Sequence, residues 1–262
     1  MICALLVFGS AELPAPLWEI SPWLDWRVVP REEVLAQLRA QKHRRIIKTH
    51  TPLDGIPLDP RATYLVGARH PLDMAVSLYH QGANLDRELV NRLTGHTDPP
   101  DDRAPRPPLH EWLTEWIAWG GDPQERLDSL PGVMLHLSDA WSRRDESNIV
   151  LVRYEDLLAD RAGGMRRLSA RLGIPVPDEL WGELITAAGF EHMRSRADRL
   201  APDPVGVLRS RRAFFRRGRA GAGDAVLTDA EMALYSERAR QLAPPDLLQW
   251  LHGAGPDRPS DG

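Results

Sequence analysis

ATYLVGARHPLDMAVSLYHQ, residues 62–81, is the stretch on which the fold turns. Ala62–Ala68 is apolar and short, as a buried strand is, and Arg69-His70-Pro71 breaks it. Pro71 then opens a helix to Gln81, since a proline's missing N–H would be unpaired in a first helical turn anyway. Working outward, Asn148–Tyr154 (NIVLVRY) reads as a further strand, and Glu155-Asp156 leads into the next helix. Arg45–Thr49 (RIIKT) reads as a short buried strand that runs into Lys48-Thr49-His50-Thr51-Pro52. Arg31–Gln41 carries Val34, Leu35 and Leu38 at helical spacing. Leu109–Trp119, Val133–Arg143, Ala162–Leu172, Asp178–Ala188 and Phe190–Ala197 continue the helices. Thr228 and Glu231 form a capping-box pattern for a helix through Leu242. Met1–Phe8 (MICALLVF) has no capping residue and reads as the later part of a buried helix. Asn84–Pro108 is expected to be a long loop with one helical turn, and the tail from about Gly253 to be disordered.

Strands alternating with helices predict an α/β fold with a parallel sheet. Ligands of such sheets sit beyond the C-terminal ends of the strands. Three polar clusters fall there: Lys48–Thr51, Arg69–Ser77 and Tyr154–Asp156. They are expected to converge on one edge.

Composition narrows the chemistry. The chain has 262 residues, 33 Lys plus Arg against 37 Asp plus Glu, and a net charge of -4, so a phosphate-driven nucleic-acid binder is disfavoured. Cys3 is the single cysteine, which excludes an intramolecular disulfide and fits a reducing cytoplasm. No run is long enough to span a bilayer. The P-loop, H-E-x-x-H, G-x-S-x-G and G-x-G-x-x-G patterns are absent, and no metal site is indicated.

The clusters suit transfer of an anionic group. Lys48 and His50, at i and i+2 of a strand, would face one cleft. There His50 can act as general base and Lys48 can neutralise a leaving group. The alternative is a strand end hydrated by solvent. Arg69 precedes a helix N-terminus, where unpaired N–H groups favour anions, and Ser77 adds a hydroxyl. The alternative there is an Arg69–Asp73 ion pair and a solvated Ser77. Arg209, Arg211, Arg212, Arg216, Arg217 and Arg219 form a basic run interleaved with Phe214 and Phe215 and followed by glycines that permit close approach to a phosphate. A solvated basic loop, or an RNA-binding segment, is its alternative.

Taken together, these motifs resemble the cytosolic-type sulfotransferases that use 3'-phosphoadenosine 5'-phosphosulfate (PAPS). RIIKTHTPLDGIP, YLVGARHPLDMAVSLYHQ, NIVLVRYEDLLAD and FFRRGRAG are similar to four of that family's motifs, in the same order. SPWLDWRV, HRRIIKTHTPLDGIPLD and QLAPPDLLQWLH resemble actinobacterial enzymes of the mycobacterial glycolipid type. The resemblance implies a P-loop-NTPase-like three-layer sandwich, one sulfotransferase domain over residues 1–252, and PAPS as co-substrate without metal. It implies a small-molecule or glycolipid acceptor with a hydroxyl. By it, His50 is the general base and Lys48 stabilises the bridging oxygen. Arg69, Ser77, Arg216, Arg217 and Gly218 hold the 3'-phosphate. Tyr154, Phe190 and Met193 contact the adenine. The tryptophans and the proline-rich loop would suit a gated apolar acceptor pocket, although Trp112, Trp116 and Trp119 also fit plain helix packing.

Three departures accompany the resemblance. The family's strand and 5'-phosphate loop, P-K-S-G-x-T-W, are expected ahead of MICALLVF and do not occur in this sequence. The accompanying expectation is that Met1 is an internal methionine and that this chain binds PAPS poorly. GRAGAGDAVLT lacks the usual tryptophan, and Ala188-Gly189 stands where small hydroxyl residues are common. The competing readings are an inactive truncated remnant that binds nucleotide or a partner only, and a small kinase. The kinase would need a phosphate-loop lysine and a metal-binding Ser or Thr that this sequence lacks.

Overall fold

The computed structural model describes residues 1–95 and 106–253. In chain order its helices are α1 (Ile2–Phe8), α2 (Leu17–Ile20), α3 (Arg31–Ala40), α4 (Pro71–Asn84), α5 (Arg87–Thr94), α6 (Leu109–Ala118), α7 (Leu130–Ser142), α8 (Tyr154–Ala159) and α9 (Arg161–Leu172). They continue with α10 (Trp181–Ala187), α11 (Phe190–Ser195), α12 (Ala197–Leu200), α13 (Arg211–Phe214), α14 (Asp229–Leu242) and α15 (Pro245–His252). Strands β1 (Tyr64–Ala68) and β2 (Ile149–Arg153) pair in parallel, Tyr64 opposite Ile149 and Ala68 opposite Arg153. The chain divides into two compact units: Met1–Thr51, His80–Pro105 and Ala159–Gly218 form one, and Pro52–Tyr79, Arg106–Leu158 and Arg219–Gly262 the other.

The second unit carries the sheet. Its core gathers Val66 and Ile149 from the strands with Leu72, Leu113, Ile117, Leu130, Met134 and Leu247, all buried. Helix α7 packs on β2, α14 and α15, and α6 packs on α14. Trp116 is buried in this core and its indole N–H donates to the Asp128 carbonyl at 2.7 Å, so it serves packing. Helix α7 starts three residues before the expected Val133. Ser129 caps it by accepting from Gly132 N at 3.1 Å, and Pro131 lies in its first turn. Helix α14 begins as its sequence predicts: Thr228 Oγ1 accepts from Glu231 N at 3.4 Å, and the Glu231 carboxylate accepts from Thr228 N at 2.8 Å.

In the first unit, α1 packs on α9 and α10, burying Ala4, Leu5 and Leu6. Gly9, at φ 57°, ends α1 in the left-handed conformation that glycine adopts at least cost. Helix α5 stands where a single turn was expected. Asp86 caps it by accepting from Leu89 N at 3.0 Å, and Gly95 closes it. Most of the proline-rich stretch, residues 96–105, and the tail from residue 254 lie outside the described residues.

One expected element is corrected. Arg45–Thr49 is not a buried strand: it makes a single parallel bridge, Trp23 to Lys48, and Ile47 is 48% exposed. Lys48 N donates to Pro22 O at 3.0 Å and Leu24 N donates to Lys48 O at 2.8 Å. The partner segment cannot extend the ladder backwards through Pro22, which has no N–H to donate.

Replacing Thr228 with Ala removes the α14 cap and should cost about 1 kcal/mol. A chemical-denaturation midpoint shifted by that amount with an unchanged slope is the expected result.

Candidate active site

In the first unit, Lys48 and His50 meet on one indole. Lys48 Nζ lies 3.7 Å from the centroid of the Trp23 ring, and the His50 ring lies 4.3 Å from it. Trp26 stacks on Trp23 at 4.6 Å. Both side chains thus contact the same ring, and the segment's single bridge falls at Lys48. Burial against these groups pulls the Lys48 ammonium down to about 8, with Asp25 opposing the shift. Asp25 shapes the backbone here. Its Oδ2 accepts from Thr49 Oγ1 at 2.7 Å, His50 N at 2.9 Å, Thr51 N at 2.9 Å and Thr51 Oγ1 at 2.7 Å. Burial alone would raise the Asp25 carboxyl, but these hydrogen bonds outweigh it and hold the group below the usual carboxylate range.

The same unit brings Phe190 and Gly218 together. A Cβ on Gly218 would fall 2.2 Å from the Phe190 ring, and Gly218 has φ 63°, so glycine is required twice over. Met193 lies one turn on from Phe190 in α11. In the basic run, Arg211 is spent on structure: its Nε donates at 3.0 Å to Asp203, which is 1% exposed. Asp203 also accepts from Val207 N at 2.7 Å. Arg209 Nε donates to Leu85 O at 3.2 Å, while Arg217 is exposed.

In the second unit, β1 and β2 end side by side, and the next residues are Arg69 and Tyr154. The Arg69 guanidinium lies 4.7 Å from the centroid of the Tyr154 ring. Its terminal nitrogen donates to Arg219 O at 3.0 Å and lies 3.5 Å from Asp73, while its Nε is buried without a hydrogen-bond partner. The anticipated Arg69–Asp73 pair therefore exists, but Asp73 has closer partners. Its carboxylate accepts from Gly221 N at 2.8 Å, Ala222 N at 2.6 Å and Gly223 N at 2.9 Å. A Cβ on Gly223 would lie 2.4 Å from Leu72 Cβ, which explains the second close-packed glycine. Ser77 is exposed on α4.

Sequence reasoning missed Asp25 and Asp203, although Asp25 stands inside SPWLDWRV, and it named Asp73 only as a partner for Arg69. It also missed a polar cavity of about 160 Å³ lined by His70, Glu155, Asp224 and His252. There His70 N donates to Glu155 Oε1 at 3.0 Å, and Tyr235 Oη lies 2.9 Å from His252 Nε2. Burial, with His70 adding to it, pulls His252 down to about 4. Among the described residues, no group of three or more His, Cys, Asp or Glu is arranged to hold a metal ion. No described helix is long and apolar enough to cross a membrane.

Solved structures share this architecture. A mouse sulfotransferase complexed with PAP matches with a TM-score of 0.63 at 18% identity, over 84% of this chain and 74% of that one. Retinol dehydratase in a complex with retinol and PAP matches with a TM-score of 0.67 at 18% identity, over 92% and 74%. These likenesses define the class: an α/β protein of the P-loop-NTPase-like kind, with a parallel sheet flanked by helices. The family model described as the sulfotransferase domain matches residues 3–241, running through both units. The glycolipid sulfotransferases of Mycobacterium bovis and Mycobacterium tuberculosis are 39% identical over 269 residues, covering 96% of this chain and 82% of theirs. The chain belongs to the sulfotransferase family.

Substituting Asp73 with Ala leaves three backbone N–H groups without their acceptor. It should lower stability by roughly 2–4 kcal/mol. Thermal unfolding checks this, and faster amide exchange at Gly221–Gly223 is the local signature.

Proposed function

We propose that this chain transfers a sulfuryl group from PAPS to a hydroxyl of a lipid-like acceptor, as a single domain over residues 1–252 in the cytoplasm. One observation carries the reading: an imidazole and a depressed lysine both lie against the Trp23 ring, at a segment whose sequence resembles the family's catalytic motif. The acceptor class rests on the 39% identity to glycolipid sulfotransferases. The cytoplasmic setting rests on the single cysteine.

The residues present fit the 3'-phosphoadenosine end of the nucleotide. Arg69 holds a buried, unpaired Nε beside a helix N-terminus, and Gly218 keeps the backbone tight under Phe190. On this reading Arg69, Ser77, Arg216, Arg217 and Gly218 hold the 3'-phosphate, and Tyr154, Phe190 and Met193 hold the adenine. Bound PAPS supplies the activated sulfuryl group, whose bond to the phosphate oxygen breaks as the acceptor oxygen bonds to sulfur. His50 takes the acceptor's hydroxyl proton. Lys48 places its positive charge where the leaving oxygen gains negative charge.

The test is transfer of radiolabelled sulfate from PAPS to a glycolipid, a phenol and a simple alcohol. Transfer to the glycolipid is expected, and none to any acceptor would return the chain to the remnant reading. His50→Ala should lower kcat by roughly 10²–10⁴-fold while PAP still binds. Wild-type turnover in that variant would remove His50 from the mechanism.

The pH profile follows from Lys48. The lysine acts charged, and its ammonium deprotonates near 8 in the free protein, so kcat/KM should fall as pH rises through about 8. Lys48→Arg, whose guanidinium stays charged, should move that limb to higher pH at a lower plateau rate.

A further inference from the structure

The segment that carries His50 has no regular structure to hold it. Its single bridge is at Lys48, and His50 is exposed. Ordinarily such a backbone would sample many conformations, and a base on it would be poorly aimed. Here a single carboxylate oxygen, Asp25 Oδ2, accepts four hydrogen bonds from three consecutive residues, between 2.7 and 2.9 Å. Thr51 N also donates to Thr49 Oγ1 at 2.9 Å, which closes the turn on itself. Bonds to an ionised acceptor are roughly twice as strong as neutral ones. The same short segment presents Trp23, two residues before Asp25, against the His50 ring at 4.3 Å. Backbone and ring of His50 are therefore both held by residues 23–25.

We propose that Asp25 is a positioning residue for sulfuryl transfer, fixing the turn at 49–51 so that His50 is aimed at the reacting centre. The carboxylate never touches the substrates. It acts by replacing the missing ladder with a charge-assisted turn. A neutral amide oxygen could not sustain four donors, so the charge matters as well as the shape. Thr49 and Thr51 are part of the device, because each spends its hydroxyl on Asp25 and not on solvent. This inference rests on the proposed roles of His50 and Lys48.

The experiment is a double-mutant cycle in the full chain, scored by steady-state kinetics, PAP affinity and melting temperature. Asp25→Asn should lower kcat by about 10²-fold, the cost of a base misplaced by an ångström or so. Acceptor KM and PAP affinity should stay within about threefold, and Asp25→Glu should recover part of the loss. If Asp25 acts through His50, the Asp25→Asn/His50→Ala variant should be no slower than His50→Ala alone. Losses that multiply across the cycle would overturn the proposal, as would wild-type kcat in Asp25→Asn. Should Asp25→Asn fail to fold, Thr51→Val removes one of the four bonds and runs through the same cycle. A loss of roughly 5–10-fold that vanishes on the His50→Ala background is then expected. The outcomes also separate the two readings. Wild-type turnover in both His50→Ala and Lys48→Met strikes the proposed catalysis and the positioning role together. Loss in those two with an intact Asp25→Asn strikes the positioning role alone.

Discussion

Parallel pairing of Tyr64–Ala68 with Ile149–Arg153 is the constraint from which the rest of the second unit follows. A parallel pair cannot be joined by a tight turn, so the chain must leave the end of β1 and return to the start of β2 through helices. The register sets Ala68 opposite Arg153. The next residue on each strand is then placed at the same end, and Arg69 comes to lie over the Tyr154 ring. Pro71 starts α4 directly after the strand, which puts Asp73 in the first turn. A carboxylate there is favoured by the helix dipole, and it reaches the N–H groups of Gly221–Gly223. One ladder of five residue pairs thus sets the cation, the ring and the glycine loop.

Elements whose signals are local were legible. The β1 strand, its break at Pro71, β2 and the α14 capping box each depend on neighbours within a few residues. Arg45–Thr49 was not, because an apolar, β-branched run becomes a strand only if a partner pairs with it, and Pro22 limits that partner. Helix α15 was not among the expected helices, and two prolines, Pro244 and Pro245, stand at its start. The second proline is the first helical residue, where it is tolerated, and Leu247, Leu248 and Leu251 drive the helix into the core.

The site divides the same way. Residue types that carry chemistry could be picked out by kind: Lys48 beside His50, Arg69 before a helix, arginines beside glycines. Their supports could not. Asp25 is 24 to 26 residues from its donors, and Asp73 is 148 to 150 residues from its own. No periodicity marks such a carboxylate, since its role is fixed by which distant N–H groups arrive. The basic run shows the converse. Six arginines read alike in sequence, yet Arg209 and Arg211 are committed to backbone and to Asp203 while Arg217 faces solvent.

Two aspartates, Asp25 and Asp73, share one device, and Asp203 combines it with an ion pair to Arg211. Asp25, Asp73 and Asp203 each gather backbone N–H groups of an irregular segment: 50–51, 221–223 and 207–208. Each segment carries or adjoins a candidate anion-handling group. A carboxylate satisfied largely by N–H groups is neutralised without taking up a whole Lys or Arg, so it organises the backbone and still leaves cations for a ligand. A direct ion pair takes up a cation, as Arg211 is taken up at Asp203. The Arg69–Asp73 distance of 3.5 Å against 2.6–2.9 Å for the backbone donors is the preference for N–H groups in one residue. The carboxylate takes the loop first, and the guanidinium keeps its Nε unpaired.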